Sequence, residues 1–232
     1  MKKIGLVGGI SWSSTIDYYR YINEETNKIL GGLHFAECII YSVNFDDFRK
    51  YNAAHDWNNT RRLMEEAAKH LKAAGADVLM LGANTAHMVA EQVEKSIGLP
   101  LIDIRVATAE AIQRKQIIKV ALLGTVYTME LDFYRGKLAE FGIESIIPEH
   151  SADRAFIEKT LLHELGKGII NPATKAEYIR IANDLIVRGA KGIVLGCTEI
   201  PLLLSEKDFT IPVFNTTLIH VQAAVAFAHN AP

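Results

Sequence analysis

An α/β fold made of two similar halves is what this sequence predicts, and three observations predict it. Short β-branched runs alternate with amphipathic stretches, the pattern of parallel strands joined by crossover helices. A segment around Ala83 reappears around Cys197, at an offset of 114 residues. The 232 residues are 49% hydrophobic and 22% charged, enough to fill a core in each half without disulfide or metal support.

Strands are expected near 3–8, 37–43, 77–82, 100–103, 118–123, 142–147, 191–196 and 211–214, with helices over 12–29, 58–74, 85–95, 104–114, 128–141, 152–165, 172–188 and 216–229. The run Ile4-Gly5-Leu6-Val7 after Met1-Lys2-Lys3 has the outline of a secretion signal. Gly8 and Gly9 interrupt it and Asp17 and Arg20 soon follow, so it reads as the first strand.

Three correspondences, in the same order in each half, carry the repeat. Gly75-Ala76-Asp77-Val78-Leu79-Met80-Leu81-Gly82-Ala83-Asn84-Thr85 aligns without a gap on Gly189-Ala190-Lys191-Gly192-Ile193-Val194-Leu195-Gly196-Cys197-Thr198-Glu199. The first strand, Ile4 to Gly9, matches Val120 to Thr125, and Leu99-Pro100-Leu101-Ile102-Asp103 matches Ile211-Pro212-Val213-Phe214-Asn215. The expected architecture is therefore two pseudo-symmetric Rossmann-like lobes, each a mainly parallel sheet flanked by helices. The N-terminal lobe takes residues 1–104 plus 213–232 and the C-terminal lobe takes 105–212.

Open parallel sheets bind ligands beyond the carboxyl ends of their strands. Residues 83–85 and 197–199 both fall at such ends, so the expected active site is a cleft between the lobes with positions 83 and 197 on opposite sides. If helices start there, the N–H groups of Asn84, Thr85, Thr198 and Glu199 favour an anion, carboxylate or phosphate alike.

Cys197 is the residue best placed for chemistry. A thiol at a helix N-terminus has a lowered pKa and can serve as base or nucleophile. Cysteine is also a small core hydrophobe, which is the reading that suits Cys38, inside the apolar run Glu37-Cys38-Ile39-Ile40-Tyr41. His87, four residues after Ala83, reads as a structural histidine, although it and Glu199 are both near enough to tune a thiol.

No paired-cysteine or His-Glu-x-x-His pattern occurs, so no metal is expected. The glycines after the first strand lack the G-x-G-x-x-G spacing and no P-loop lysine follows them, so no nucleotide cofactor is expected either. The net charge of −2 offers no basic face for nucleic acid or an acidic membrane. No apolar stretch approaches the ~20 residues that span a bilayer. Two cysteines far apart make no disulfide framework, and a reducing cytoplasm is the expected compartment.

Gly82-Ala83-Asn84-Thr85-Ala86-His87 resembles the cysteine-Asn-Thr-x-His motif of the aspartate/glutamate racemase family, and Gly196-Cys197-Thr198-Glu199-Ile200 resembles its cysteine-Thr-Glu motif. The likeness extends over the whole chain, through Gly8-Gly9-Ile10-Ser11-Trp12-Ser13-Ser14-Thr15 and Leu123-Gly124-Thr125-Val126-Tyr127-Thr128-Met129-Glu130-Leu131-Asp132-Phe133-Tyr134-Arg135. It implies inversion at Cα of an acidic amino acid without pyridoxal phosphate, one thiolate removing the proton and a second thiol returning one to the other face. It further implies that Asn84, Thr85 and Thr198 bind the α-carboxylate or orient the amino group, and that Gly9, Ile10 and Ser11 line the pocket. Asn52 would reach the distal carboxylate. Lys167 lies near a lysine some members use for that carboxylate, with Gly166 in the equivalent register. A homodimer is implied as well.

Ala83 departs from the family pattern: it stands where the first cysteine belongs and has no proton to exchange. Three readings stay open. The thiol has been removed by substitution; or the enzyme is one-sided, as relatives with threonine there suggest; or the reaction is a single-cysteine one on a malonate- or maleate-like diacid, as in arylmalonate decarboxylase. A non-catalytic amino-acid-binding protein is the alternative of another class.

Overall fold

The structure is a computed structural model that describes residues 1–230, and every strand pairing in it is parallel. In chain order the elements of the first half are β1 (Ile4–Gly8), α1 (Trp12–Leu30), β2 (Cys38–Ser42), α2 (Phe45–Ala53), α3 (Trp57–Ala73), β3 (Val78–Leu81), α4 (Ala90–Ile97) and β4 (Leu101–Ile102). They are followed by α5 (Ile104–Arg114), β5 (Lys119–Gly124), α6 (Val126–Glu130), α7 (Asp132–Glu140), β6 (Glu144–Ile146), α8 (Ser151–His163), α9 (Pro172–Val187), β7 (Ile193–Gly196), β8 (Val213–Asn215) and α10 (Thr216–Asn230). The strand orders are β2-β1-β3-β4 and β6-β5-β7-β8, the same winding twice. In each sheet the connections run to opposite sides of the first strand, which makes the gap between β1 and β3, and that between β5 and β7, the switch points where ligands bind.

The chain divides into two compact units: residues 1–104 with the segment from Thr217 on, and Arg105–Thr216. Val213–Asn215 belong to the second unit, because β8 pairs with β7 (Val194 opposite Phe214). The sequence reading had put this strand at the start of the returning segment, whereas the return begins only with α10. In the first sheet, alternate residues face opposite ways, as a strand period of two requires. Ile4, Leu6, Val78 and Met80 pack against α1 and α10, while Val7, Leu79 and Leu81 pack against α3 and α4. In the second sheet Ala121, Leu123, Ile193 and Leu195 meet α8 and α9.

Four local departures from the expected elements have physical causes. Helix α2 was not foreseen because Phe45–Ala53 is short and polar; Asn44 caps it by accepting the Asp46 N–H at 3.3 Å, and Asp46 and Asp47 suit its first turn. The expected helix 128–141 is two helices, broken where Leu131 turns extended (φ −82°, ψ 151°). Residues Thr85–Val89 form a 3-10 turn ahead of α4, and Cys197 is followed only by a three-residue 3-10 turn, Ile200–Leu202, that contains Pro201. The strand that runs straight into an α-helix, expected in both halves, is therefore absent from both.

A buried histidine ties α10 to the first unit. His220 donates from Nε2 to the Ile102 carbonyl at 2.7 Å and accepts at Nδ1 from the Tyr18 hydroxyl at 2.9 Å. Burial, helped by the neighbouring His87, pushes its pKa down to about 3. Because the folded value lies below that of the unfolded chain, the unfolded state takes up the proton first as the pH falls. The contribution is thus whole above ~6.5 and is lost towards 3, at a slope of about 1.4 kcal/mol per pH unit. Urea unfolding at neutral and mildly acidic pH checks this: His220→Gln is expected to lower stability at neutral pH and to flatten its decline on acidification by about one proton.

Candidate active site

At the first switch point the backbone leaves no room for side chains. Gly9 has φ +87°, and a Cβ there would lie 2.3 Å from the Val43 carbonyl oxygen, so only glycine fits. The Gly9 N–H donates to Thr15 Oγ1 (2.8 Å), whose own hydroxyl donates to the Ser11 carbonyl (2.8 Å). That clamp fixes the loop Gly9-Ile10-Ser11, in which Ile10 and Ser11 are buried and Ser11 Oγ meets Ser13 Oγ at 2.7 Å. On the neighbouring strand, a Cβ on Gly82 would lie 2.8 Å from the Val7 carbonyl oxygen. This close approach sets Ala83, Asn84 and Thr85, all buried, beside the loop after β1.

His87 is bonded at both ring nitrogens. Nε2 accepts the Ile104 N–H at 3.2 Å, which leaves Nδ1 to donate to the Ala83 carbonyl at 2.9 Å. It holds the strand end by its backbone.

The second unit repeats this geometry with different side chains. A Cβ on Gly196 would lie 2.9 Å from the Leu123 carbonyl oxygen, and Gly124 is opposite Gly196 in the register. Cys197, half-buried, donates its Sγ–H to Glu199 Oε2 at 2.9 Å, and the Thr198 hydroxyl donates to the same oxygen at 3.1 Å. Thr216 Oγ1 donates to the Leu195 carbonyl at 2.8 Å and steadies the end of β7.

The thiol pKa is raised well above its ordinary value, chiefly by burial and then by the Glu199 carboxylate; the Glu199 N–H works the other way and is outweighed. This overturns the expectation of a lowered pKa. No α-helix starts at Cys197, so no macrodipole favours the thiolate, and two acidic groups oppose it. The second is Glu158 of α8, whose Oε2 accepts the Val126 N–H at 2.9 Å just past the end of β5. Burial raises the Glu158 pKa as well, and Glu158 in turn adds to the rise at Tyr127 and Tyr178.

The remaining sequence candidates are placed differently. Asn52, buried at the end of α2, accepts the Thr60 hydroxyl at 2.8 Å, so its carbonyl is engaged with α3 while its NH₂ end is not used in that bond. Lys167 is exposed on a turn after α8, and a Cβ on the adjacent Gly166 would lie 2.9 Å from the Leu161 carbonyl oxygen, so a lysine cannot stand in that register without a shift. Cys38 packs on β2 against the α1 side of the sheet, and burial raises its pKa. Two contributors were missed in the sequence. Thr15 is one of several hydroxyl residues in its motif and nothing local singles it out, and Glu158 carries no local signal, being one glutamate on a helix. Among the described residues no group of three or more His, Cys, Asp or Glu side chains is arranged to hold a metal, and no helix is long and apolar enough to cross a membrane.

Comparison with known proteins decides the family. The Asp/Glu/hydantoin racemase family profile matches residues 7–224. The chain belongs to this family. It is 45% identical to a candidate Asp/Glu racemase from Yersinia pestis, over 99% of this chain and 100% of that one, with a TM-score of 0.90. An aspartate racemase homologue from Pyrococcus horikoshii is 33% identical over 99% and 100% of the chains, with a TM-score of 0.86. The broad specificity amino-acid racemase RacX of Bacillus subtilis is 22% identical over 96% of each chain. Membership of this racemase family supports amino-acid racemase, an isomerase activity, as the class of function, acting on a small molecule.

The raised thiol pKa has a direct readout. Alkylation of Cys197 by iodoacetamide is expected to reach half its maximal rate above the ~8.5 of a free cysteine, and Glu199→Gln is expected to move that midpoint down. A wild-type midpoint below ~8.5 would contradict the assignment of Glu199 as the group that opposes the thiolate.

Proposed function

We propose that this chain exchanges the Cα hydrogen of an acidic amino acid, aspartate or glutamate, through Cys197 and without pyridoxal phosphate. The observation that carries the reading is the Cys197 Sγ–H···Glu199 hydrogen bond at the end of β7, matched by a side chain without a proton, Ala83, at the corresponding end of β3. In the resting pair the proton sits on sulfur and the charge on the carboxylate. Transfer of that proton to Glu199 leaves the thiolate, which takes the Cα proton. The electron pair stays on the substrate as a carbanion delocalised into its α-carboxylate, where preorganised donors from Asn84, Thr85 and Thr198 oppose its charge. The refilled thiol then returns a proton to the same face.

A family member with a second thiol inverts because a proton arrives from the other face. With Ala83 there, the return path to the same face dominates, and the chain is one-sided: exchange with retention, and inversion slowed by the ~10²–10⁴-fold that a placed acid or base supplies. Gly9, Ile10 and Ser11 would line the pocket, Asn52 or Lys167 would meet the distal carboxylate, and His87 would act through the backbone of residue 83. A cytoplasmic homodimer completes the reading.

The single thiol also suits a decarboxylase or isomerase of an amino-free diacid. Against this, Glu199 and Glu158 surround Cys197 with acidic groups. That setting suits a substrate carrying an ammonium group better than a dianion. A binding protein without chemistry would have no use for the shared proton.

Incubation of L- and D-aspartate and L- and D-glutamate in heavy water, followed by mass spectrometry and chiral chromatography, tests the proposal. One enantiomer is expected to gain deuterium at Cα without inverting, Cys197→Ser to abolish the gain, and Ala83→Cys to bring inversion up by ~10²-fold or more. If neither amino acid exchanges even in the Ala83→Cys chain, the racemase reading fails; carbon dioxide release from an arylmalonate would then favour the decarboxylase.

A further inference from the structure

Glu158 is a carboxylate without a counter-ion. It is half-buried on α8, its Oε2 accepts the Val126 N–H at 2.9 Å, and among the described residues no lysine, arginine or histidine pairs with it. Other carboxylates of low exposure in this chain do hold a cation: Glu65 meets Arg61 and Asp208 meets Lys175, each at 2.8 Å. That is the ordinary arrangement, because a charge taken out of water is costly unless it is paired. Burial raises the Glu158 pKa, and the Val126 N–H offsets this only in part. Glu164, further along the same segment, is engaged by the Thr174 hydroxyl at 2.6 Å, whereas Glu158 Oε1 makes no hydrogen bond among the described residues. Such a group is suited to a cation brought from outside.

The strand ends fix where that cation would lie. Gly124 stands opposite Gly196 in the register, and a Cβ on Gly124 would be 2.8 Å from the Gly196 carbonyl oxygen, so β5 and β7 finish side by side. Val126 follows Gly124 by two residues, and Cys197 directly follows Gly196. The bond to the Val126 N–H therefore draws the Glu158 carboxylate to the end of the strand pair that carries the thiol. Cys197 in turn packs against the apolar cluster that holds Ile157 and Leu161, the α8 residues beside Glu158. The sulfur and the carboxylate thus border one gap, the switch point of the second sheet.

We infer that Glu158 receives the α-ammonium group of the substrate through Oε1, and so couples the arrival of an amino acid to release of the proton on Cys197. The inference deepens the exchange reading above and rests on it. The ammonium keeps its own protons and supplies only charge: the thiol proton still passes to Glu199, and the Cα proton to the sulfur. A positive group beside a thiol favours the thiolate, so the base forms when an amino acid is in place. An α-hydroxy acid of the same shape brings no such charge. Glu158 is then a specificity residue that selects amino acids over hydroxy acids.

Calorimetric titration with two matched pairs, aspartate against malate and alanine against lactate, tests this in both enantiomers. The parent chain is expected to bind the amine of at least one pair ~10-fold or more tightly than the hydroxy acid, as a hydrogen bond to a charged group supplies. Glu158→Gln, which keeps an acceptor for the Val126 N–H, is expected to lose that preference while still binding the hydroxy acid, and Glu158→Asp to keep part of it. In the parent at fixed, mildly alkaline pH, the preferred amine is expected to raise the ultraviolet absorbance of the thiolate and its hydroxy partner not to, a readout that needs no variant. A parent without preference for the amine in either pair overturns the inference. So does a Glu158→Gln chain that keeps the preference, or that weakens amine and hydroxy acid alike. The alanine pair separates the two proposals: preference there but not for aspartate sinks the acidic substrate and leaves the role of Glu158 standing.

Discussion

The geometry of both candidate half-sites depends on one steric constraint: neighbouring strands approach at their carboxyl ends to a distance that excludes a side chain. A Cβ on Gly82 would meet the Val7 carbonyl at 2.8 Å, and one on Gly196 would meet the Leu123 carbonyl at 2.9 Å. Each glycine stands one residue before a candidate position, Ala83 or Cys197. The approach places residues 83 and 197 at a switch point rather than inside the sheet, and brings the loops after β1 and β5 beside them. Replacing either glycine would push apart a strand pair whose register sets the site.

On that shared frame the two units differ in electrostatics. The second keeps a thiol among acidic groups, and the balance of burial, Glu199 and the opposing Glu199 N–H decides which protonation state rests there. The elevated pKa has a chemical sense. A thiol that holds its proton is a ready acid, and it becomes a base only by handing that proton to a partner 2.9 Å away. A thiolate stabilised by a helix dipole would be the weaker base towards carbon. The Cα proton of an amino acid is a poor acid, so under the proposed exchange reaction a basic thiolate formed only in contact with substrate suits the step better than one standing free.

Much of the fold was legible in the sequence, for a definite reason. The run Val78 to Leu81 and its counterpart Ile193 to Leu195 are buried on both faces, so they stay apolar at every position, and a gapless repeat of such strands is hard to produce in any other fold. The ends of elements were less legible. Leu131 breaks a helix through backbone dihedrals that no nearby Gly or Pro announces, and the 3-10 turn after Cys197 follows from local bonds such as Leu203 N–H to the Ile200 carbonyl. In the candidate site, the place of Cys197 and its Thr-Glu successors at the end of a strand was legible from the repeat. Glu158 was not, because its relation to the thiol exists only once α8 lies across the end of β5. The sign of the thiol's pKa shift was misread for a related reason: it depends on burial and on a side-chain rotamer, neither of which is written in residue spacing.

The preserved residues around Ala83 take on a different meaning in the structure. An intact Asn84-Thr85-Ala86-His87 after a missing cysteine invites the inference that the thiol was lost recently or deliberately. His87, however, bonds the carbonyl of residue 83 and the amide of Ile104, and neither bond involves the side chain at 83. Its retention follows from holding the strand end in place whatever stands there. The Ala83 methyl meanwhile belongs to the same buried apolar cluster as Val7, Ile10 and Leu81. The first half-site therefore keeps its shape with no acid or base at position 83, and in the proposed reaction an alanine there bears on chemistry alone, with proton traffic left to the pair Cys197 and Glu199.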